Sequence, residues 1–78
     1  MNKHILMVID NQLNPDKYTQ EQLDKNADDA CATYDYAYAA ANAAAAYAAV
    51  DYWLRQYFKQ TGENKQDYID AINKDNKL

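Results

Sequence analysis

The sequence holds one cysteine, one glycine, one proline and one histidine, and each scarcity removes a class of chemistry. A single thiol, Cys31, cannot close a disulfide within the chain; it fits a reducing compartment, so a cytoplasmic location is expected. Neither Cys31 nor His4 has a partner at the spacing that a zinc site or a thiol nucleophile needs. One glycine, Gly62, is too few for a phosphate-cradling loop or a nucleophile elbow, so neither an enzyme nor a cofactor is expected. Basic residues are also sparse, eight against twelve acidic ones for a net charge of −4. That balance argues against direct nucleic-acid binding, which relies on a basic stripe to displace counterions. The apolar run Ile5 to Ile9 is closed by Asp10 too early for a signal peptide. The alanine tract is interrupted by Asn42 and bounded by Asp35 and Asp51, so it reads as a soluble segment, not as the ~20 apolar residues of a membrane span.

What the chain does have is alanine and eight tyrosines. A chain of 78 residues has room for one domain with a thin core, because a domain of this size buries only about 60% of the surface its unfolded form exposes. Three segments separate by pattern. Residues 1–18 form an N-terminal arm in which Ile5, Leu6, Met7, Val8 and Ile9 suggest a short strand or extended stretch, with a helical turn as the alternative where no ladder partner exists. Thr19 with Gln22 three positions on matches a capping box, and Tyr18 and Leu23 sit at the positions of a hydrophobic staple across it. From Thr19 to Gln60 there is no Gly or Pro, and Gly62 supplies a left-handed stop. The expectation is one long helix over 19–61, about 60 Å in length. Asn64 then caps a short C-terminal helix over 64–75, whose Tyr68, Ile69 and Ile72 fold back on Val50, Trp53, Leu54, Tyr57 and Phe58.

The fold class is therefore mainly all-α, built on one long Ala/Tyr-rich helix. Between Tyr36 and Val50 the only strongly polar side chain is Asn42, and a helix apolar around its circumference must be buried. An arm and a short helix cannot cover so long a cylinder, which predicts an oligomeric helical bundle of identical subunits. Ala30, Ala37, Ala41, Ala44 and Ala48 fall at the 3,4 spacing of a tight self-association seam.

Asp24, Asp28 and Asp35 share a helix face. They make either a solvated acidic stripe that complements the helix N-terminus or an interaction patch with the nearby Tyr34 and Tyr38. Pockets between subunits, lined by Asn42, Arg55 and tyrosine hydroxyls, would be a third use of the surface, as a small-ligand sponge.

KHILMVIDNQLNPDKYTQEQLDKNADDA (residues 3 to 30) and YWLRQYFKQTGENKQDYIDAINK (residues 52 to 74) resemble a group of short accessory proteins encoded by tailed bacteriophages, with an Ala/Tyr-rich tract of varying length between such ends. The resemblance carries no catalytic residues. It implies a phage protein in the host bacterial cytoplasm that binds and inhibits a host protein, in host takeover or against host defence. The alternative is a self-assembling structural helical protein.

Overall fold

A computed structural model describes residues 1–32 and 35–76, with the side chains of Asp35 and Asn76 also outside the description. Among the described residues the chain is all helical: α1 (Lys3–Leu13), α2 (Gln20–Ala30), α3 (Asp35–Ala46), α4 (Val50–Thr61) and α5 (Lys65–Asn76). The central helix, α3, packs against α2, α4 and α1, and α5 closes the bundle against α1.

The N-terminal segment is helical, which corrects the strand or extended arm expected over residues 1–18. Asn2 caps it, its Oδ1 accepting from the backbone N–H groups of His4 at 2.8 Å and Ile5 at 3.3 Å. Ile5, Val8 and Ile9 are fully buried while Leu6 and Met7 are only half-buried. The five consecutive apolar residues therefore contain an i, i+3, i+4 stripe that faces the core. With no strand to pair with among the described residues, the helix satisfies its backbone internally.

The long helix expected over 19–61 is instead three helices, α2, α3 and α4. Its start is as expected: Thr19 Oγ1 accepts from Gln22 N–H at 3.1 Å, and Gln22 Oε1 accepts from Thr19 N–H at 2.8 Å. One break follows Ala30; Cys31 N–H still reaches back to Ala27 and Asp28 carbonyls. The other falls at Tyr47, Ala48 and Ala49, where Tyr47 (φ 58°) and Ala49 (φ 56°) take left-handed conformations without a glycine. Each such residue costs roughly 1–2 kcal/mol. Folding the helix back buries Ala37, Ala40, Ala41, Ala43, Ala44 and Ala45 together with Leu54 and Tyr57. At ~0.8 kcal/mol per buried methyl-sized group and about 1.5–3 kcal/mol per large side chain, that burial outweighs two strained residues.

The chain thus covers its own alanine tract. Ala30, Ala37, Ala41 and Ala44, expected to form a seam between copies, lie 4% exposed or less within one chain, while Ala48 is exposed. The tract is not apolar on every side in use, because Tyr38, Asn42 and Ala46 share an exposed strip. An alanine can sit on either side of such a boundary, so the tract shows no stripe in its sequence.

The stop and the cap on either side of the last turn follow expectation, whereas α5 packs chiefly against α1 instead of along α4. Gly62 (φ 74°) ends α4, its N–H donating to the Phe58 carbonyl at 2.9 Å. Asn64 Oδ1 accepts from Gln66 N–H at 2.8 Å. Phe58 then meets Tyr57 and Tyr68 edge to face, at 5.4 and 5.7 Å between ring centroids.

A buried carboxylate fastens the end of α1 to the loop after it. Asp10, 6% exposed, accepts from Lys17 Nζ at 2.6 Å, Tyr18 Oη at 2.6 Å and Asn14 Nδ2 at 2.8 Å. Burial pushes its ionisation up, but the bonds from Lys17, Tyr18 and Asn14 outweigh burial and hold it below the ordinary carboxylate value of 3.8. A folded value below the unfolded one stabilises fully above the unfolded value and is lost as pH falls through the folded one. Asp10→Asn should therefore be less stable at neutral pH by about 1–2 kcal/mol. In acid titrations followed by circular dichroism its stability should fall less below pH 3.8 than the parent's does; parallel curves would exclude Asp10 as a source of acid sensitivity.

Candidate protein-interaction surface

The buried face of α2 is Leu23, Asn26, Ala27 and Ala30. Its spacing turns Asp24 and Asp28 outward, and both are exposed together with Glu21 and Asp29. Asp24 accepts from Gln20 Nε2 at 2.9 Å, and Lys25 pairs with Asp29 at 3.3 Å across one turn. Such exposed contacts are weak and leave the stripe available to a partner. Tyr38 stands on α3 and is 39% exposed. Tyr34 and the side chain of Asp35, the other two residues expected in this patch, lie outside the described residues.

A second feature arises where the end of α1, the loop after it and the α3–α4 corner meet. Asn11, Gln12, Pro15, Ala44, Tyr47 and Val50 line a cleft of about 220 Å³. The corner is held by Tyr47 N–H donating to the Ala44 carbonyl at 3.2 Å and Ala48 N–H donating to the Ala43 carbonyl at 2.9 Å. That geometry leaves Tyr47 69% exposed, the most exposed of the large apolar side chains among the described residues. Asn11 is only 7% exposed, yet its Oδ1 has no hydrogen-bond partner among the described residues, and neither has the buried Oε1 of Gln12. Gln12 Nε2 donates to Asp51 Oδ1 at 2.7 Å. An unpaired buried acceptor costs on the order of 1–3 kcal/mol. The sequence marks Ala44 and Val50 for helix packing, and none of these residues for a cleft. Once α1 is a helix, however, Asn11 falls on its buried side, in line with His4 and Val8.

A third feature, at the opposite end of α1, is larger but internally satisfied. Lys3, His4, Tyr57, Thr61 and Glu63 help line an open groove of about 580 Å³. At its base Tyr57 Oη donates to Glu63 Oε2 at 3.0 Å, Tyr68 Oη donates to Glu63 Oε1, and Asn2 N–H donates to Tyr68 Oη at 3.0 Å. Burial raises the ionisation of both tyrosines. The neighbouring hydroxyl adds to this at Tyr57, and the hydrogen bond to Glu63 adds to it at both. His4 Nδ1 meets Asn26 Oδ1 at 3.0 Å while Asn26 Nδ2 donates to the His4 carbonyl at 3.1 Å, tying α1 to α2. These polar groups are mutually paired, so they brace helices. The cleft beside Tyr47 differs in that two buried acceptors next to it have no partner among the described residues.

No family model, no curated protein and no solved structure matches the chain. Among the described residues no helix is long and apolar enough to cross a membrane.

Proposed function

We propose that the protein is a non-enzymatic protein-binding module, a phage-type accessory factor that occupies and inhibits a host protein. The observation that carries this reading is the cleft beside Tyr47, an exposed tyrosine on a strained corner next to unpaired buried acceptors. Backbone strain and unmet hydrogen-bonding capacity lower stability, and both are features that proteins tolerate where a partner compensates for them. Tyrosine suits that role, with a large contact area and few rotors. The exposed stripe containing Asp24 and Asp28 adds long-range attraction for a basic partner surface.

The alternative, self-assembly through the alanine seam, loses its main support because Ala30, Ala37, Ala41 and Ala44 are already covered within one chain. Light scattering should therefore give the 9.0 kDa of one chain. The binding test is to immobilise the protein, identify the bacterial protein it retains, and measure the affinity of that pair with Asp24→Lys/Asp28→Lys. Charge reversal at a steering surface should slow association by about tenfold or more at low salt and less at high salt. If affinity and association rate are unchanged while the fold persists, the acidic stripe takes no part. If no retained protein binds more tightly than micromolar, the reading as a host-protein inhibitor fails.

A further inference from the structure

We infer that the cleft between the end of α1 and the α3–α4 corner receives a leucine-sized side chain from a basic segment of the partner protein, an inference that rests on the binding function above. The surface that the cleft exposes is mostly apolar, and its apolar lining is Pro15, Ala44, Tyr47 and Val50. Asn11 and Gln12 add little polarity to it, because their unpaired oxygens are buried. Tyr47 is largely exposed, so its ring is free to cover an apolar side chain that enters beside it. At about 220 Å³ the cleft lies below the roughly 300–1,000 Å³ of small-molecule and cofactor sites. It suits one side chain of a larger molecule.

Charge says what kind of segment carries that side chain. Gln20, the first residue of α2, donates from Nε2 both to Asp24 Oδ1 at 2.9 Å and to the Ala45 carbonyl, so the acidic stripe of α2 runs up to the corner beside the cleft. Asp16, next to Pro15, and Glu21, next to Gln20, are also exposed, and neither has an ion-pair partner among the described residues. Lys17, the cation nearest in sequence, is neutralised by the buried Asp10 at 2.6 Å. On the α4 side Asp51 already holds Gln12 and shares a hollow with Arg55 and Lys65, so it adds no net attraction. The field beside the cleft is therefore negative toward α2, and it favours lysine or arginine close to the apolar anchor in the partner's sequence. The same field argues against a second copy of this chain as occupant, because each copy carries a net charge of −4.

The test uses the full-length protein, isotopically labelled and followed by NMR at low salt, with a capped pentapeptide as probe: a central leucine flanked by lysine pairs. The expected result is saturable shifts at Ala44, Tyr47 and Val50 together with Asp16 and Asp24. Replacing the leucine by alanine should weaken binding ~10-fold and remove the shifts in the cleft while sparing those at the aspartates. Replacing the lysines by glutamates should abolish binding. Tyr47→Ala opens one wall, so it should weaken the leucine peptide and leave the alanine peptide unchanged. Asp16→Lys with Asp24→Lys should weaken both peptides. Absence of saturable binding overturns the inference, as do shifts confined to the acidic stripe, equal affinity for the leucine and alanine peptides, or equal affinity for the glutamate peptide. These comparisons on the parent protein decide the outcome even where a variant unfolds. The two proposals fail separately. A retained host protein that binds Tyr47→Ala as tightly as the parent sinks the anchor site but leaves the binding function standing, whereas the binding function fails if no bacterial protein is retained, whatever the peptides show.

Discussion

Ala41→Leu should cost about 3 kcal/mol or more, because Ala41 is 1% exposed on the helix that three others surround. A chain of 78 residues has roughly 4–12 kcal/mol of stability in total at 0.05–0.15 kcal/mol per residue. The thermal midpoint should therefore fall by on the order of 10–25 °C, at about 4–8 °C per kcal/mol. Ala48→Leu is the control: it belongs to the same 3,4 pattern but is exposed, and it should stay within about 0.5 kcal/mol of the parent. The pair separates two packings that the sequence allows. If the alanines joined copies, Ala41→Leu would change the molar mass in solution while each chain stayed folded, and Ala48→Leu would behave alike. Melting curves together with light scattering decide between them.

Tyr68→Ala should be as damaging. Tyr68 is 1% exposed and joins α5 to the rest of the chain through its ring against Phe58, its hydroxyl on Glu63 and the Asn2 N–H it accepts. Truncating a buried aromatic costs about 3–5 kcal/mol, and the other large buried side chain of α5 among the described residues is Ile72, 4% exposed. The helix should undock, and an isolated twelve-residue helix is marginal in water. Far-UV dichroism should report the lost helix, and hydrogen exchange should report a newly unprotected Asn2 amide. Tyr68→Phe keeps the ring and should cost only about 1 kcal/mol.

The same cluster gives the fold an alkaline limit. Folded Tyr57 and Tyr68 ionise above the ordinary value of 10.0. Their contribution is whole below that value and is lost as pH rises from it toward the folded values. A protein carrying both Tyr57→Phe and Tyr68→Phe should lose less stability above pH 10 than the parent, and equal slopes would mean that other groups set the limit.

Legibility in the sequence followed the range of the interaction. The capping box at Thr19 and Gln22, the stop at Gly62 and the cap at Asn64 are contacts over two to four residues, and each forms as expected. The meeting of Tyr68 with the Tyr57 and Phe58 cluster was legible because a second apolar group followed a turn directly, whereas the packing of α5 chiefly against α1 was not. The identity of α1 was hidden because its core stripe sits inside five consecutive apolar residues, and its cap, Asn2, lies at the extreme end. The breaks after Ala30 and at Tyr47 to Ala49 have no local signal at all. Alanine favours helix at each position, and the corner forms because tertiary burial exceeds that preference. The candidate site divides the same way. Asp24 and Asp28 share an exposed face by helical spacing alone, whereas the cleft exists only once α1 is a helix and Tyr47 turns the chain.

The alanine helix at the centre has one more consequence, for insertions and deletions. One added residue anywhere in α3 turns everything after it by about 100° and advances it by 1.5 Å. Substituting within the exposed strip of Tyr38, Asn42 and Ala46 leaves the register alone. Duplicating a single alanine of Ala43 to Ala46, though it introduces no new chemistry, would swing the Tyr47 corner and α4 away from the face they cover. A change of seven residues, close to two full turns, comes nearest to restoring the phase. In this fold the length of the alanine tract is therefore as much a determinant of structure as the identity of any side chain in it.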